Sequence, residues 1–189
     1  MCSNMTELNS KCELCMGCPL GKTRTNLVFG VGNPNADIMF IGEGPGEQED
    51  LKGEPFVGRA GILLDKLLNC VHFDRHKNTY IANIVKCRPP HNRDPLDNEQ
   101  QACIHWLQDQ IDIVSPKIIV CLGRIAAQKL IDKDIRITKD HGKIYNINGV
   151  AMMPVLHPAA LLRNENLLPG TFEDFLKLRE LYDGMGLIK

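Results

Sequence analysis

The sequence predicts an α/β fold in which helices cover both faces of a parallel sheet. Two observations lead to this prediction. Short, nearly continuous apolar runs alternate along the chain with segments whose apolar residues recur at helical spacing. A glycine or a polar side chain follows most of the apolar runs, where a buried strand would end. The length of 189 residues suffices for one sizeable core, so we expect residues 1–189 to form a single domain.

The predicted strands and helices alternate along the chain. Buried strands are predicted over residues 37–41, 78–85, 116–122 and 150–156. Helices are predicted over residues 58–71, 97–114, 126–131 and 172–182. Asp97 would cap the second helix. Strands connected through helices pair in parallel, so their carboxyl ends meet at one edge of the sheet, where ligands bind.

The composition excludes several classes of function. Hydrophobic residues make up 43% of the chain and charged residues 24%, the balance of a soluble globular protein. No apolar run approaches the roughly 18 residues that a membrane-spanning helix requires, and the N-terminus lacks a secretion signal. The net charge of −1 excludes a uniformly basic coat protein, although a local basic patch could bind DNA. We expect an intracellular, cytoplasmic protein without a membrane partner.

The eight cysteines are the most informative feature of the composition. Without a secretion signal the compartment is reducing, which disfavours disulfides. Cys12, Cys15 and Cys18 lie close together, and a second pair, Cys87 and Cys103, follows far along the chain. Four thiolates drawn from both groups would suit zinc or an iron–sulfur cluster, and Cys12 could replace Cys15 or Cys18 as a ligand.

A glycine-rich acidic loop follows the first strand, over residues 42–50. Its G-x-G-x-G spacing, with no P-loop lysine after it, argues against a dinucleotide or phosphate loop. Gly42 and Gly44 would let a ligand approach the backbone closely. The loop also carries four carboxylates: Glu43, Glu47, Glu49 and Asp50. These suit water activation, stabilisation of a cationic sugar or a divalent metal, and the alternative is a solvated acidic turn that caps a helix.

Three side chains near strand ends are candidates for ligand binding. Phe56 lies on a loop constrained by glycines and Pro55, where its ring could stack on a planar ligand. Asn83 lies near the end of the second strand, and its amide can donate to and accept from a pyrimidine edge. His157 ends the last strand and could donate to a developing oxyanion. The alternative for each of the three is a structural role.

Four basic residues are predicted to place positive charge at the same edge of the sheet: Lys86, Arg88, Arg93 and Arg163. Positive charge there suits contacts with DNA phosphates. The neighbouring Leu161 and Leu162 could form an apolar wedge that enters a base stack. Alternatively, these two leucines begin a helix and face the core.

Four of these segments, in this order, resemble the family 4 uracil-DNA glycosylases, the iron–sulfur class of prokaryotes. The segments are Cys15-Met-Gly-Cys18-Pro-Leu, Gly42-Glu-Gly-Pro-Gly-Glu-Gln-Glu-Asp-Leu-Lys-Gly-Glu-Pro-Phe-Val-Gly-Arg-Ala-Gly61, Asn83-Ile-Val-Lys-Cys-Arg-Pro-Pro90 and His157-Pro-Ala-Ala-Leu-Leu-Arg163. The resemblance runs from about Cys15 to the last helix, and the second cysteine pair has the spacing of the family.

The resemblance implies a fold, a cofactor and an activity. The fold would be a three-layer α/β/α sandwich around a central four-stranded parallel sheet. A [4Fe-4S] cluster would be held by Cys15, Cys18, Cys87 and Cys103, which leaves Cys12 as an extra thiol. The enzyme would hydrolyse the N-glycosidic bond of deoxyuridine in DNA, release uracil and leave an abasic site without cutting the strand. We expect it to be a monomer.

The resemblance also implies roles for single residues. Phe56 would stack on uracil, Asn83 would read its edge, and His157 would bond uracil O2 as negative charge leaves with the base. Glu43 is the first candidate for the water activator, and Glu49 is the second, as a supporting carboxylate. Two other functions stay open from the residues alone: a zinc-stapled nucleic-acid-binding module and a metal-dependent nuclease that uses the acidic loop.

Overall fold

The computed structural model describes residues 4–187 and has a sheet at its centre. The strands are β1 (Val31–Gly32), β2 (Ile38–Gly42), β3 (Thr79–Asn83), β4 (Ile118–Leu122), β5 (Tyr145–Ile147) and β6 (Val150–Val155). They form one six-stranded sheet with the order β1-β3-β2-β4-β6-β5. The four inner strands run parallel, and this confirms the predicted parallel sheet.

The two edge strands were not predicted. β1 pairs antiparallel with β3, and β5 pairs antiparallel with β6. They contain only two and three residues, too few for a periodic pattern of apolar side chains to identify a strand. The four inner strands, by contrast, are buried almost throughout, which is why their sequences are continuous apolar runs.

Eight α-helices lie within residues 4–187. They are α1 (Met5–Glu13), α2 (Glu47–Lys52), α3 (Arg59–Cys70), α4 (Asp97–Val114), α5 (Arg124–Leu130), α6 (Ile137–Asp140), α7 (Pro158–Arg163) and α8 (Leu168–Gly184). Short 3₁₀ helices cover Pro19–Lys22, Pro90–Asn92 and Glu165–Leu167. All four predicted helices are present, whereas α1, α2 and α6 were not predicted. The helix α7 contains Leu161 and Leu162, for which a helix was the alternative considered from the sequence.

Different helices cover the two faces of the sheet, because successive strand residues point to opposite sides. On one face Phe40 packs with Leu64 of α3 and Phe175 of α8. On the other face Met39 packs in a separate cluster with Leu107 of α4. The three-layer α/β/α sandwich is therefore confirmed.

The start of α4 differs in detail from the prediction. Leu96, not Asp97, occupies the N-cap position, and Asp97 is the first helical residue. The backbone N–H of Leu96 donates to a carboxylate oxygen of Glu99 at 2.8 Å. The acidic side chain three residues into the helix thus satisfies an N-terminal donor. The prediction of Asp97 as the cap was wrong for this reason.

The helix α1 packs against α4 and brings the N-terminal cysteines to the body of the protein. Leu8 and Cys12 of α1 are fully buried and form a small apolar cluster that includes Trp106 of α4. Within residues 4–187, none of the helices combines the length and the apolar character needed to cross a lipid bilayer.

Candidate active site

A cavity of about 540 Å³ lies at the carboxyl ends of the four parallel strands. Its walls come from the segments after β2, β3, β4 and β6, the edge at which the sequence places the site. Eight of the predicted residues line it together: Glu43, Gly44, Glu49, Phe56, Asn83, Arg93, His157 and Arg163. The cavity therefore gathers side chains that lie up to 120 positions apart in the sequence.

Phe56 is held in a strained backbone conformation. Its φ is +55°, in the left-handed region, which costs a residue other than glycine about 1–2 kcal/mol. The guanidinium of Arg75 donates to the carbonyl oxygens of Phe56 at 2.7 Å and Pro55 at 3.2 Å, and to Asp65 of α3 at 2.7 Å. Arg75, which was not predicted, thereby fixes the loop to α3. Its 19-residue separation from Phe56 left no local signal in the sequence.

Gly42 and Gly44 leave room for the residues around them. A Cβ on Gly42 would lie 2.5 Å from Oδ1 of Asn83 and 2.7 Å from Cζ of Phe56, so both side chains occupy the space that glycine leaves. A Cβ on Gly44 would lie 2.7 Å from the side chain of Val85. Gly44 lines the cavity, while Gly42 lies behind the two ligand-binding candidates.

Asn83 carries a buried polar atom that needs a partner. The residue is 2% exposed, and its Oδ1 accepts no hydrogen bond within the described residues. A buried amide group without a partner costs about 1–3 kcal/mol. The alternative considered from the sequence was a structural asparagine whose buried amide is hydrogen-bonded to the backbone. That alternative does not apply to Oδ1.

His157 is held as a neutral ring with a defined proton position. The backbone N–H of Ala159 donates to its Nδ1 at 3.1 Å, so a neutral ring carries its proton on Nε2. Burial lowers the pKa of His157 to about 4, and the positive charge of Arg163 adds to this effect. The ring centroid lies 5.6 Å from that of Phe56. His157 can therefore donate from Nε2 at neutral pH without being a cation.

Glu43 faces two charged residues that were not predicted. Burial raises the pKa of Glu43 to about 7, the negative charge of Asp94 adds to it, and Arg124 opposes both. Asp94 and Arg124 line the cavity and form an ion pair with each other. Asp94 lies in the connection between β3 and α4, and Arg124 lies two residues after β4. Both are far from Glu43 in sequence, so only the fold brings the three side chains together.

Glu49 has a structural task in the same loop. Its Oε1 accepts from the backbone N–H groups of Val57, at 2.9 Å, and Gly58, at 2.8 Å, the residues directly before α3. A carboxylate at a helix N-terminus satisfies donors there and interacts favourably with the helix dipole. Glu49 therefore anchors the far side of the Phe56 loop.

The four carboxylates of the acidic loop diverge. Glu47 is exposed and lies 3.9 Å from the guanidinium of Arg88, while the buried Asp50 accepts from the backbone N–H groups of Thr25 and Asn26. Over residues 4–187, no three histidine, cysteine or carboxylate side chains come close enough to bind a single metal ion, and the carboxylates of this loop therefore do not form such a site. This geometry does not support a metal-dependent nuclease built on the loop.

The predicted basic residues separate into surface and interior groups. Arg163 is exposed at the cavity rim, and Arg88 donates to Asn92 at 2.7 Å. Arg93 forms two hydrogen bonds, of 2.8 and 2.7 Å, with the buried carboxylate of Glu99. Lys86 is only 1% exposed, so the prediction that it contacts DNA was wrong.

Leu161 also needs a correction. It is fully buried in the core cluster of α3, α7 and α8, because residues 158–163 form a helix with one apolar face. The prediction that Leu161 contacts DNA was therefore wrong, and the alternative of a helix that faces the core applies to it. Its neighbour Leu162 is 38% exposed.

A second pocket is lined by five cysteines: Cys12, Cys15, Cys18, Cys87 and Cys103. Nitrogen donors already point at three of the sulfurs. The indole N–H of Trp106 and the backbone N–H of Gly17 reach Cys15 Sγ at 3.4 and 3.5 Å. Arg24 reaches Cys87 Sγ at 3.3 Å, and the backbone N–H of Lys86 reaches Cys103 Sγ at 3.3 Å.

The same pocket disfavours free thiolates. Burial raises the pKa of Cys87 and raises that of Cys103 to about 11, because the charged form loses its hydration. Hydrogen bonds to sulfur and nearby cations act in the opposite direction, through Arg24 at Cys87 and Lys86 at Cys103. The pocket is therefore suited to thiolates that a bound cationic centre stabilises.

Comparison with known proteins identifies the family of this chain. The family model of the Uracil DNA glycosylase superfamily matches residues 29–180. The chain is 45% identical over 175 residues to the Type-4 uracil-DNA glycosylase of Archaeoglobus fulgidus, with 88% of this chain and 87% of the relative covered.

Two further relatives differ in their sequence identity to this chain. The Type-4 enzyme of Thermotoga maritima is 46% identical over 164 residues, which cover 86% of this chain and 85% of the relative. The Type-5 uracil-DNA glycosylase of Pyrobaculum aerophilum is 35% identical over 154 residues, which cover 72% and 67%. The chain thus belongs to the uracil-DNA glycosylase superfamily and, within it, to the type-4 enzymes.

Proposed function

We propose that this protein hydrolyses the N-glycosidic bond of deoxyuridine in DNA, releases uracil and leaves an abasic site without cutting the strand. The observation that carries this proposal is the buried Oδ1 of Asn83, which has no hydrogen-bond partner among residues 4–187 and lies beside the ring of Phe56. An amide offers one acceptor and two donors, which complement the N3–H and the O4 of uracil. Cytosine presents the reverse pattern on the same edge, so it would leave the amide unsatisfied in the orientation seen here, in which Oδ1 is the buried atom.

Binding begins with removal of the nucleotide from the base stack, since the glycosidic bond is inaccessible inside a duplex. The flipped base enters the cavity, stacks on Phe56 and satisfies Asn83. Arg75 and Glu49 hold the Phe56 loop from its two sides, so the aromatic surface is in place before the base arrives. Gly44 offers a surface without a side chain at the cavity wall.

Bond cleavage transfers negative charge to the departing base. The neutral His157 donates from Nε2 to uracil O2, and this hydrogen bond strengthens as the anion forms. A neutral donor suits this task, because a cationic imidazole would protonate the base instead of sharing its proton. Glu43 then orients and activates the water that attacks the sugar, and its carboxylate stabilises the cationic sugar. Glu49 supports this arrangement by anchoring the Phe56 loop, and it also lines the cavity.

The cysteine pocket is proposed to hold a [4Fe-4S] cluster on Cys15, Cys18, Cys87 and Cys103. The N–H donors on three of these sulfurs support it, since hydrogen bonds to sulfur are characteristic of such sites. Within the described residues these bonds reach neither Cys12 nor Cys18, so the choice of Cys18 as the fourth ligand and of Cys12 as the extra thiol follows the family resemblance. The cluster supplies a structural crosslink between the N-terminal segment and the β3–α4 region.

The DNA surface is proposed to consist of Arg93 and Arg163, which line the cavity, together with Arg88, which lies near Glu47, and the exposed Leu162. We further propose that residues 1–189 act as one glycosylase domain, as a monomer, in the prokaryotic cytoplasm. Substrate DNA and reduced thiols are both consistent with that location.

To test the proposal, the purified protein is incubated in EDTA with an oligonucleotide that contains one uracil. Half of the reaction products are then treated with alkali and half are not. We expect free uracil, and strand breakage only after alkali. A matched oligonucleotide with thymine at the same position controls for specificity. Strand breakage before alkali would contradict the monofunctional reaction, and binding without base release would favour a nucleic-acid-binding module.

A further inference from the structure

Lys86 is a charged side chain in the interior, between the cavity and the cysteine pocket. Only 1% of it is exposed. Its Nζ donates to the backbone oxygen of Asn83 at 2.8 Å and to Oε1 of Gln110 at 2.6 Å. Both partners are neutral, and over residues 4–187 no carboxylate lies within ion-pair distance of this ammonium. The Lys86 side chain therefore needs a source of negative charge other than Asp or Glu.

The cysteines are that source. Lys86 lines the cysteine pocket, its own backbone N–H donates to Cys103 Sγ, and the next residue is Cys87. Four thiolates around an oxidised [4Fe-4S] core leave a net negative charge, and a buried charge is stable only with a compensating partner.

The hydrogen bonds of Lys86 also fix its position. Gln110, which accepts from Nζ, donates to the backbone oxygen of Phe29 at 3.0 Å and to the hydroxyl of Tyr80 at 3.3 Å. Gln110 is itself fully buried. The ammonium is thus held between α4 and the end of β3, and it cannot turn toward solvent without leaving buried acceptors unsatisfied.

We propose that Lys86 is the buried counter-cation of the [4Fe-4S] site and that its bond to Asn83 ties the uracil-reading end of β3 to that site. This inference rests on the cluster assigned under the proposed function. Lys86 is a positioning residue, since it contacts neither base nor sugar. A positive charge beside the cluster favours the reduced form, which carries one more electron, so Lys86 raises the reduction potential of the cluster.

The experiment compares four variants of the full chain, each purified without oxygen: Lys86→Met, Lys86→Arg, Gln110→Glu and the control Lys22→Met. Lys22 is exposed and follows Cys18 closely, so its removal deletes a lysine near the pocket without deleting a buried charge. For each variant we would measure iron and sulfide content, the reduction potential of the cluster and the dissociation constant of free uracil.

We expect Lys86→Met to shift the potential to a more negative value and to weaken uracil binding several-fold. Lys86→Arg keeps the charge and stays closer to the wild type, and Lys22→Met matches the wild type. Gln110→Glu keeps the shape of the side chain but places a carboxylate against the ammonium, so it lowers the potential while the cluster stays bound.

A Lys86→Met protein with the wild-type potential and uracil affinity would overturn the inference. If Lys86→Met does not fold, Gln110→Glu decides alone, and an unchanged potential in that variant would overturn the inference equally. Wild-type protein that contains no iron would remove the counter-cation role. Uracil release from the oligonucleotide would still decide the glycosylase activity separately.

Discussion

The cavity and the cysteine pocket differ in whether their acceptor atoms already have hydrogen-bond partners in the protein. In the cavity, Oδ1 of Asn83 has no partner within the described residues. In the cysteine pocket, N–H groups of Gly17, Lys86 and Trp106 already point at sulfur. A site that binds and releases a ligand has polar groups whose hydrogen-bond partner is the ligand and not the protein. A site for a permanent centre is surrounded by groups that are already in place, and the following predictions test this contrast.

The largest effect is expected for Glu43→Gln. With a pKa of about 7, the carboxyl is mostly protonated below pH 7 and ionised above it. A base acts only when ionised, so single-turnover excision should rise with pH through about 7. The substitution should lower the rate by about 10²–10⁴ and remove this pH dependence. Glu47→Gln, exposed on the same loop, should preserve both. A Glu43→Gln enzyme with the wild-type profile would exclude Glu43 as the base.

His157→Ala should lower the single-turnover rate by about 10²–10³, the usual cost of losing one oxyanion donor. Because the pKa of His157 is about 4, the ring is already neutral at pH 5 and above. Its titration should therefore leave the pH–rate profile above pH 5 unchanged. The control is His91→Ala, since His91 is exposed. Equal rates for the two variants would refute the donor role.

Cys87→Ala tests the cysteine pocket. Loss of one ligand should release the cluster and lower the free energy of unfolding by more than about 3 kcal/mol, a fall in Tm of roughly 6–12 °C. The control is Cys70→Ala, because Cys70 is exposed and outside the pocket. A colourless Cys87→Ala protein that unfolds at the wild-type temperature would contradict a structural role for the cluster.

Arg75→Met should lower kcat about tenfold, since the Phe56 loop loses two hydrogen bonds to its carbonyl oxygens and its connection to Asp65 of α3, and small displacements of reacting groups are costly. Arg75→Lys should recover part of the rate, because an ammonium can still reach one of the carbonyl oxygens. Lys77→Met, at an exposed position nearby, is the control. An unchanged kcat in Arg75→Met would mean that Phe56 keeps its strained backbone without the hydrogen bonds from Arg75.

The smallest effect is expected for Arg163→Ala. Loss of one phosphate contact should reduce the slope of log affinity against log salt by about one, with a modest fall in affinity for any DNA sequence. Binding of a uracil-free duplex at several salt concentrations measures this slope. Lys177→Ala, exposed on α8, should leave it unchanged. A slope equal to that of the wild type would place Arg163 outside the DNA surface.

The sequence predicted the parts of the fold that repeat a pattern. The inner strands and the long helices α3, α4 and α8 have enough residues to display a period, whereas β1 and α2 do not. Similarly, Asn83 and His157 could be found because each lies at the end of a recognisable strand. Arg75 and Asp94 could not, because their importance depends on contacts with residues distant in the chain. Arg124 lies two residues after β4, but this position does not by itself reveal the ion pair with Asp94.

Lys86 shows why a charge in the sequence does not reveal its surroundings. A lysine that follows a strand at the ligand-binding edge has the same local sequence whether it turns outward to phosphate or inward to sulfur. Only the position of α4, which places Gln110 and Cys103 beside β3, decides between the two. Leu161 and Leu162 pose the same problem, since helix rotation alone buries one and exposes the other.

The two antiparallel edge strands have a consequence for self-association. A parallel sheet that ended at β3 or β6 would offer a long row of free N–H and C=O groups, on which another chain could add a strand. Here β1 and β5 cover those rows with only two and three residues, so the outer edges offer little length for pairing. Association of two copies by extension of the sheet is therefore disfavoured.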